Sequence, residues 1–214
     1  AWKTYGNGNH DTIVAMIDTG IDYTHEDLKD TLWVNTDEIP GNGIDDDGNG
    51  YVDDVYGWNF YNNNNQIFTG EEDSHGTHGA GTISAGTGNG IGIAGIVPGN
   101  RVRVMALKAL GGTDGGGSTA AVIKAIRYAE DNGAVICNLS LTSTVDDKAL
   151  YEAMKNSSML FVVATGNGNP KTGKGVDTDA IPFYPAAYDL DNIISVANLS
   201  IDGTLSASSN YGKK

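Results

Sequence analysis

Residues 13–17, Ile13-Val14-Ala15-Met16-Ile17, run directly into Asp18-Thr19-Gly20. Five apolar residues without alternation read as a strand buried on both faces, and Asp, Thr and Gly then stop it in a tight turn. Working outward, similar short runs rich in β-branched residues recur at 102–107, 134–141, 160–165 and 193–197. Helix-like patterns lie between them. Residues 75–85 are rich in small side chains; 118–132 place apolar residues at 122, 123, 126 and 129 before Gly133; 146–156 gather Ala149, Leu150, Ala153 and Met154 on one face. Strand alternating with helix predicts an α/β fold: a doubly wound, mainly parallel sheet with helices on both faces.

At 214 residues and 39% hydrophobic content the chain can bury a sizeable core. Thirteen basic against 27 acidic residues give a net charge of −14, which argues against nucleic acid or an anionic membrane as partner. The apolar runs are strand-sized, far short of the ~20 residues that span a bilayer, so no transmembrane helix is expected. The 30 glycines fall between apolar runs without a fixed period and read as turns and close backbone approaches. A single cysteine, Cys137, excludes an internal disulfide framework. Ala1-Trp2-Lys3 carries no signal-peptide pattern, and neither an internal repeat nor an interdomain linker stands out. The expectation is one domain over 1–214, interrupted by an Asn- and Asp-rich insertion at about 33–73.

The acidity is concentrated. Residues 30–100 hold 11 carboxylates and no lysine or arginine. A solvated acidic face is one reading; a metal site is the sharper one. Within the segment 43–54, Asp45, Asp47 and Asn49 recur at alternate positions before Gly50, and Asp53 and Asp54 follow. Alternate oxygen donors closed by a sharp turn suit Ca²⁺, which takes about 6–8 oxygens, and the Tyr51 carbonyl falls where such a loop supplies one. Gly57 stands where an EF-hand would place its bidentate Glu, so Asp53 or Asp54 would have to serve in a shorter loop.

In a doubly wound sheet, ligands gather beyond the carboxyl ends of the strands. Three polar signals fall there: Asp18 in D-T-G-I-D, His75 in D-S-H-G-T-H-G-A-G-T, and Asn167 in A-T-G-N-G. Taken singly, each has a structural explanation as a cap, a packed imidazole or a turn residue. Their joint occurrence on this strand–helix pattern is informative. In these segments the chain resembles the subtilisin-like serine proteases, the subtilases. The resemblance extends through ALKALGGTDGGGS, NLSL and SNYG to cover nearly the whole sequence.

The resemblance implies roles. His75 would be the general base and Asp18 the acid that holds its tautomer, in the family's order of Asp before His. Asn167 would donate to the oxyanion. A peptide or protein substrate would add as a strand along Gly115-Gly116-Gly117 and Ser140-Leu141-Thr142, with Gly166 beside it. Thr142 departs from the family's usual Gly. A second calcium position is implied at Asp27 and Asn89, and His78, one turn after His75, is expected to pack. A secreted, calcium-binding endopeptidase follows from the likeness. The family's G-T-S-M-A-x-P nucleophile segment is not present, and Ser74, Ser118 and Ser140 do not substitute for it. Three explanations stand: a C-terminally truncated protease, a nicked enzyme whose remaining C-terminal part is a separate piece, or a serine-less relative. The first two place the serine beyond this chain, which alone would be inactive. The third would be a non-catalytic, calcium-dependent peptide-binding module.

Overall fold

The computed structural model describes residues 2–6, 10–98, 101–169 and 171–213. Its contacts divide the chain into two compact units, Ala1–Cys137 and Asn138–Lys214. The first unit contains α1 (Trp2–Tyr5), β1 (Thr12–Asp18), β2 (Gly57–Asn59), α2 (Ser74–Ser84), β3 (Val102–Lys108), β4 (Leu110–Gly111), β5 (Gly116–Gly117) and α3 (Thr119–Asp131). Strand β6 (Ile136–Leu139) crosses the boundary, and α4 (Lys148–Lys155), β7 (Leu160–Ala164) and β8 (Ile193–Val196) complete the second unit.

The strand order is β2-β3-β1-β6 in the first unit and β6-β7-β8 in the second. The β2–β3, β3–β1 and β7–β8 pairs are all parallel. Strand β1 shows why its sequence does not alternate. Val14 and Met16 join a core with Ala80 of α2 and with Val104 and Ala106 of β3. Ala15 and Ile17, on the opposite pleat, are also buried. Both α2 and α3 contact β1 and β3, so the strand has neither face left for water.

Helices α3 and α4 begin where the sequence offers a cap. The Ser118 side chain accepts from Ala121 N at α3, and Asp147 accepts from Ala149 N and Leu150 N at α4. Two boundaries differ from the sequence reading. The run at 134–141 is a strand only over 136–139, so Ser140 and Leu141 lie beyond it in irregular backbone. The segment 33–73 contains a true strand, β2, at the edge of β3. Its Asn-rich sequence hides this, because its three residues are buried by packing and not by apolar patterning.

Candidate active site

The parallel register brings Asp18, Lys108 and Asn59 level with one another at the carboxyl ends of β1, β3 and β2. The chain leaves β1 through Thr19 and Gly20 and meets the start of α2. Gly76 N donates to Thr19 Oγ1 at 3.1 Å. A Cβ at Gly76 would stand 2.2 Å from the Gly20 carbonyl oxygen; Gly20, at φ +123°, has the Ile67 carbonyl 2.4 Å from its own Cβ position. Only glycines allow this approach of two backbones. It sets the first turn of α2 over the Asp18 carboxylate.

The result is a contact of 2.7 Å between His75 Nδ1 and Asp18 Oδ1. Asp18 Oδ1 also accepts from Thr19 N at 2.7 Å. The acid's side chain is 1% exposed and the imidazole's 61%. One ring nitrogen therefore faces a buried carboxylate while the ring stays accessible, the arrangement of an oriented base. The hydrogen bond to Asp18 raises the His75 pKa above its ordinary value, against a smaller opposing effect of burial and with a further contribution from the Asp18 charge. A raised folded-state pKa adds stability that is complete below about pH 6.5 and is lost as pH rises through the folded value. Melting of the chain, compared with its His75→Ala variant over pH 5.5 to 8.5, should show the unsubstituted chain losing its relative advantage as pH rises. A difference between the two that is constant with pH would contradict the raised pKa.

In the second unit, Asn167 follows β7 and is exposed, between Gly166 at φ +101° and Gly168 at φ +76°. The turn is braced by Asn210 of the S-N-Y-G segment. Asn210 N donates to Gly166 O at 3.0 Å, and Asn210 Nδ2 to Thr165 O at 2.8 Å. A side chain at Gly166 would lie 2.6 Å from Asn210 Nδ2 and 3.5 Å from Thr142 Cγ2, so Gly166 and Thr142 are neighbours. Gly116 and Gly117 form an exposed two-residue strand antiparallel to β4, with Gly115 in the preceding turn. Ser140 and Thr142 are exposed, and Leu141 is half-buried. His78 corrects an expectation: it is exposed. The packed face of α2 runs through Gly76, Ala80, Gly81 and Ser84, which leaves no room for an imidazole.

In the acidic segment, carboxylate oxygens of Glu38, Asp45 and Asp47 come within 4.8 Å of one another. Glu38 was not among the residues singled out by spacing. It is buried and accepts from Asp46 N at 2.8 Å and Asp53 N at 3.0 Å, so the loop folds around it. Asn49 lies against the group, its Nδ2 donating to Asp47 Oδ2 at 2.9 Å. Asp53 and Asp54 are not part of this trio, although Asp54 shares the Asn35 and Asn49 amides with Asp47. Asp53 accepts from Asn42 N and Gly43 N, whereas Asp54 is buried and takes bonds from Asn35, Asn49 and the Tyr128 hydroxyl at 2.6 Å. Burial and that bond push the Tyr128 hydroxyl far above its usual pKa, which keeps it a donor. The Tyr51 side chain packs on Trp58, Phe60 and Tyr128. Elsewhere, Asn89 Nδ2 donates to buried Asp27 Oδ1 at 2.7 Å, which unites the other implied pair. The amide nitrogen, not its oxygen, faces the carboxylate there.

The family model described as the subtilase family, Peptidase_S8, matches residues 9–214. The chain belongs to the subtilase family. It is 35% identical to the major intracellular serine protease of Bacillus subtilis (strain 168), over 94% of this chain and 55% of that protein. With subtilisin-like protease 1 of Plasmodium berghei (strain Anka) it shares 34% identity over 90% of this chain and 33% of the relative. A halolysin-like extracellular serine protease of Natrialba magadii is 33% identical over 99% of this chain and 34% of that protein. The chain thus spans between a third and about half the length of these subtilases. Among solved structures, a lanthipeptide protease superposes with a TM-score of 0.68 at 26% identity, covering 99% of this chain and 56% of that one. The subtilisin-like α/β fold expected from the sequence is therefore present. No helix among the described residues is long and apolar enough to cross a membrane.

Proposed function

We propose that this chain supplies the base, the orienting acid and the oxyanion donor of a secreted serine endopeptidase, whose nucleophilic serine lies outside its 214 residues. The observation that carries the reading is the Asp18–His75 contact, with its buried acid and accessible imidazole. His75 takes the serine proton through Nε2 as the hydroxyl oxygen attacks the scissile carbonyl carbon. Nδ1–H donates to Asp18, whose negative charge stabilises the imidazolium. The Asn167 amide donates to the oxyanion, and His75 returns the proton to the departing amine as the acyl-enzyme forms. Without that serine, the isolated chain is read as inactive. The remaining C-terminal part of the same domain, joined or separate, is the partner this requires.

The substrate is a peptide or protein. It is read as an extended segment along the exposed Gly116–Gly117 edge and along Ser140, Leu141 and Thr142 beside Gly166. Calcium is the proposed cofactor, held by Asp45 and Asp47 with Glu38 and Asn49. Three carboxylates drawn together in a segment without lysine or arginine form a hard oxygen donor set that suits this ion. Bound there, it neutralises their mutual repulsion and takes no part in the acyl transfer. A second ion at Asp27 would need the Asn89 amide turned so that its oxygen faces inward. A partly exposed site of this kind fills at roughly the millimolar calcium found outside cells, in keeping with the extracellular relative.

Asn167 provides the test of the oxyanion assignment. In a polypeptide that includes the serine, Asn167→Leu should lower kcat by about 10²–10³ with little change in KM. A rise in KM at unchanged kcat would place Asn167 in substrate binding instead.

A further inference from the structure

One charged side chain in the first unit has no place in the proposed chemistry. Lys108, the last residue of β3, is 1% exposed, and its Nζ donates to the Thr19 carbonyl and to Asp73 Oδ1. The ring of Tyr61 covers the ammonium, with its centroid 5.8 Å away. Asp73 is also fully buried, and its Oδ2 accepts from Thr69 N at 2.5 Å and Thr69 Oγ1 at 3.0 Å. The two acceptors of the ammonium are well placed. Thr19 is the residue after Asp18, and Asp73 stands two before His75 in the turn that leads into α2. One lysine therefore grips both backbone segments that carry the acid and the base.

A buried ion pair is a poor source of stability, because desolvating two charges costs about as much as their attraction returns. Geometry is a better account of it. Catalysis by an oriented base loses heavily when groups shift by about 1 Å. We infer that Lys108 is a positioning residue: through Thr19 and Asp73 it holds the Asp18 turn against the first turn of α2, and so sets the Asp18–His75 hydrogen bond. The assignment rests on the reading of Asp18 and His75 as acid and base. Lys108 itself touches no substrate.

The test replaces the charged pair with a neutral, hydrogen-bonded one. In the double variant Lys108→Gln, Asp73→Asn, the two amides can bond to each other, but the shorter glutamine cannot also reach the Thr19 carbonyl. The readout is the NMR titration of the His75 imidazole in the purified 214-residue chain. The double variant should still melt cooperatively while its His75 pKa falls back toward the ordinary imidazole value and its Nδ1 proton signal broadens by exchange. A folded double variant whose His75 titration and Nδ1 proton are unchanged overturns the role of Lys108. Should the variant not fold, the Nζ resonance of the unsubstituted chain decides. A slowly exchanging Lys108 ammonium signal supports the clamp, and one in fast exchange with water overturns it. An ordinary His75 titration in the unsubstituted chain would instead refute the acid–base assignment beneath the proposal.

Discussion

His75→Ala, made in a polypeptide that includes the nucleophile, lowers kcat by about a million-fold. Without the imidazole the serine hydroxyl keeps its proton at neutral pH, and the departing amine has no donor. The loss falls on kcat because proton transfer belongs to the transition state, while an extended peptide held along glycine edges still binds. The same substitution leaves any calcium response untouched, since the ring's one hydrogen bond among the described residues is to Asp18 and not to the acidic segment. Peptide-hydrolysis kinetics on both proteins check this. Residual activity within tenfold of the unsubstituted enzyme would remove His75 from the role of base.

Chelation gives the second large effect. EDTA should lower the melting temperature, and added Ca²⁺ should restore it. At a hundredfold excess over Kd, ligand binding adds about 2.7 kcal/mol, which for a chain of this size shifts melting by roughly 5–10 °C. Asp45→Asn with Asp47→Asn should abolish most of that response. At position 47 the amide oxygen can still accept from Asn49 N and at position 45 from Gly50 N, so each N–H keeps one acceptor while the anionic donors are lost. Asp53→Asn should change the response little, because Asp53 lies outside the group that Glu38, Asp45 and Asp47 form. Melting scans with and without chelator decide. A curve indifferent to EDTA would make the segment a solvated, self-bonded loop.

Much of the site could be read from local sequence because its chemistry sits at element ends. An apolar run closed by Asp-Thr-Gly marks a strand terminus, and the glycines that follow His75 mark a helix entering at close range. Asn167 is similarly announced by the strand before it. The supporting residues left no such trace. Glu38 lies seven residues before Asp45, and only the folded loop brings their carboxylates together. Lys108 ends an apolar strand and looks like an exposed terminus, although Asp73, 35 residues away, receives its charge inside the core. Asn210 reads as a turn residue, but its backbone and side chain brace Thr165 and Gly166. Strand β2 was hidden instead by its polar surroundings. Its neighbours are Asn-rich, and Asn59 is buried because its side chain bonds to Gln66 O and Asn62 N within its own loop. Polar residues buried by distant partners carry no local periodicity, so their roles emerge only with the tertiary structure.

His75 is proposed to activate a serine outside these residues. The most direct measurement is the intact mass of the protein purified from its source, before and after reaction with a fluorophosphonate probe. We expect one covalent adduct, either on a longer polypeptide containing this sequence or on a second piece that co-purifies with it, and no adduct after His75→Ala. A protein found only as the 214-residue chain and taking up no label would contradict it, and would favour a calcium-dependent peptide-binding module in its place.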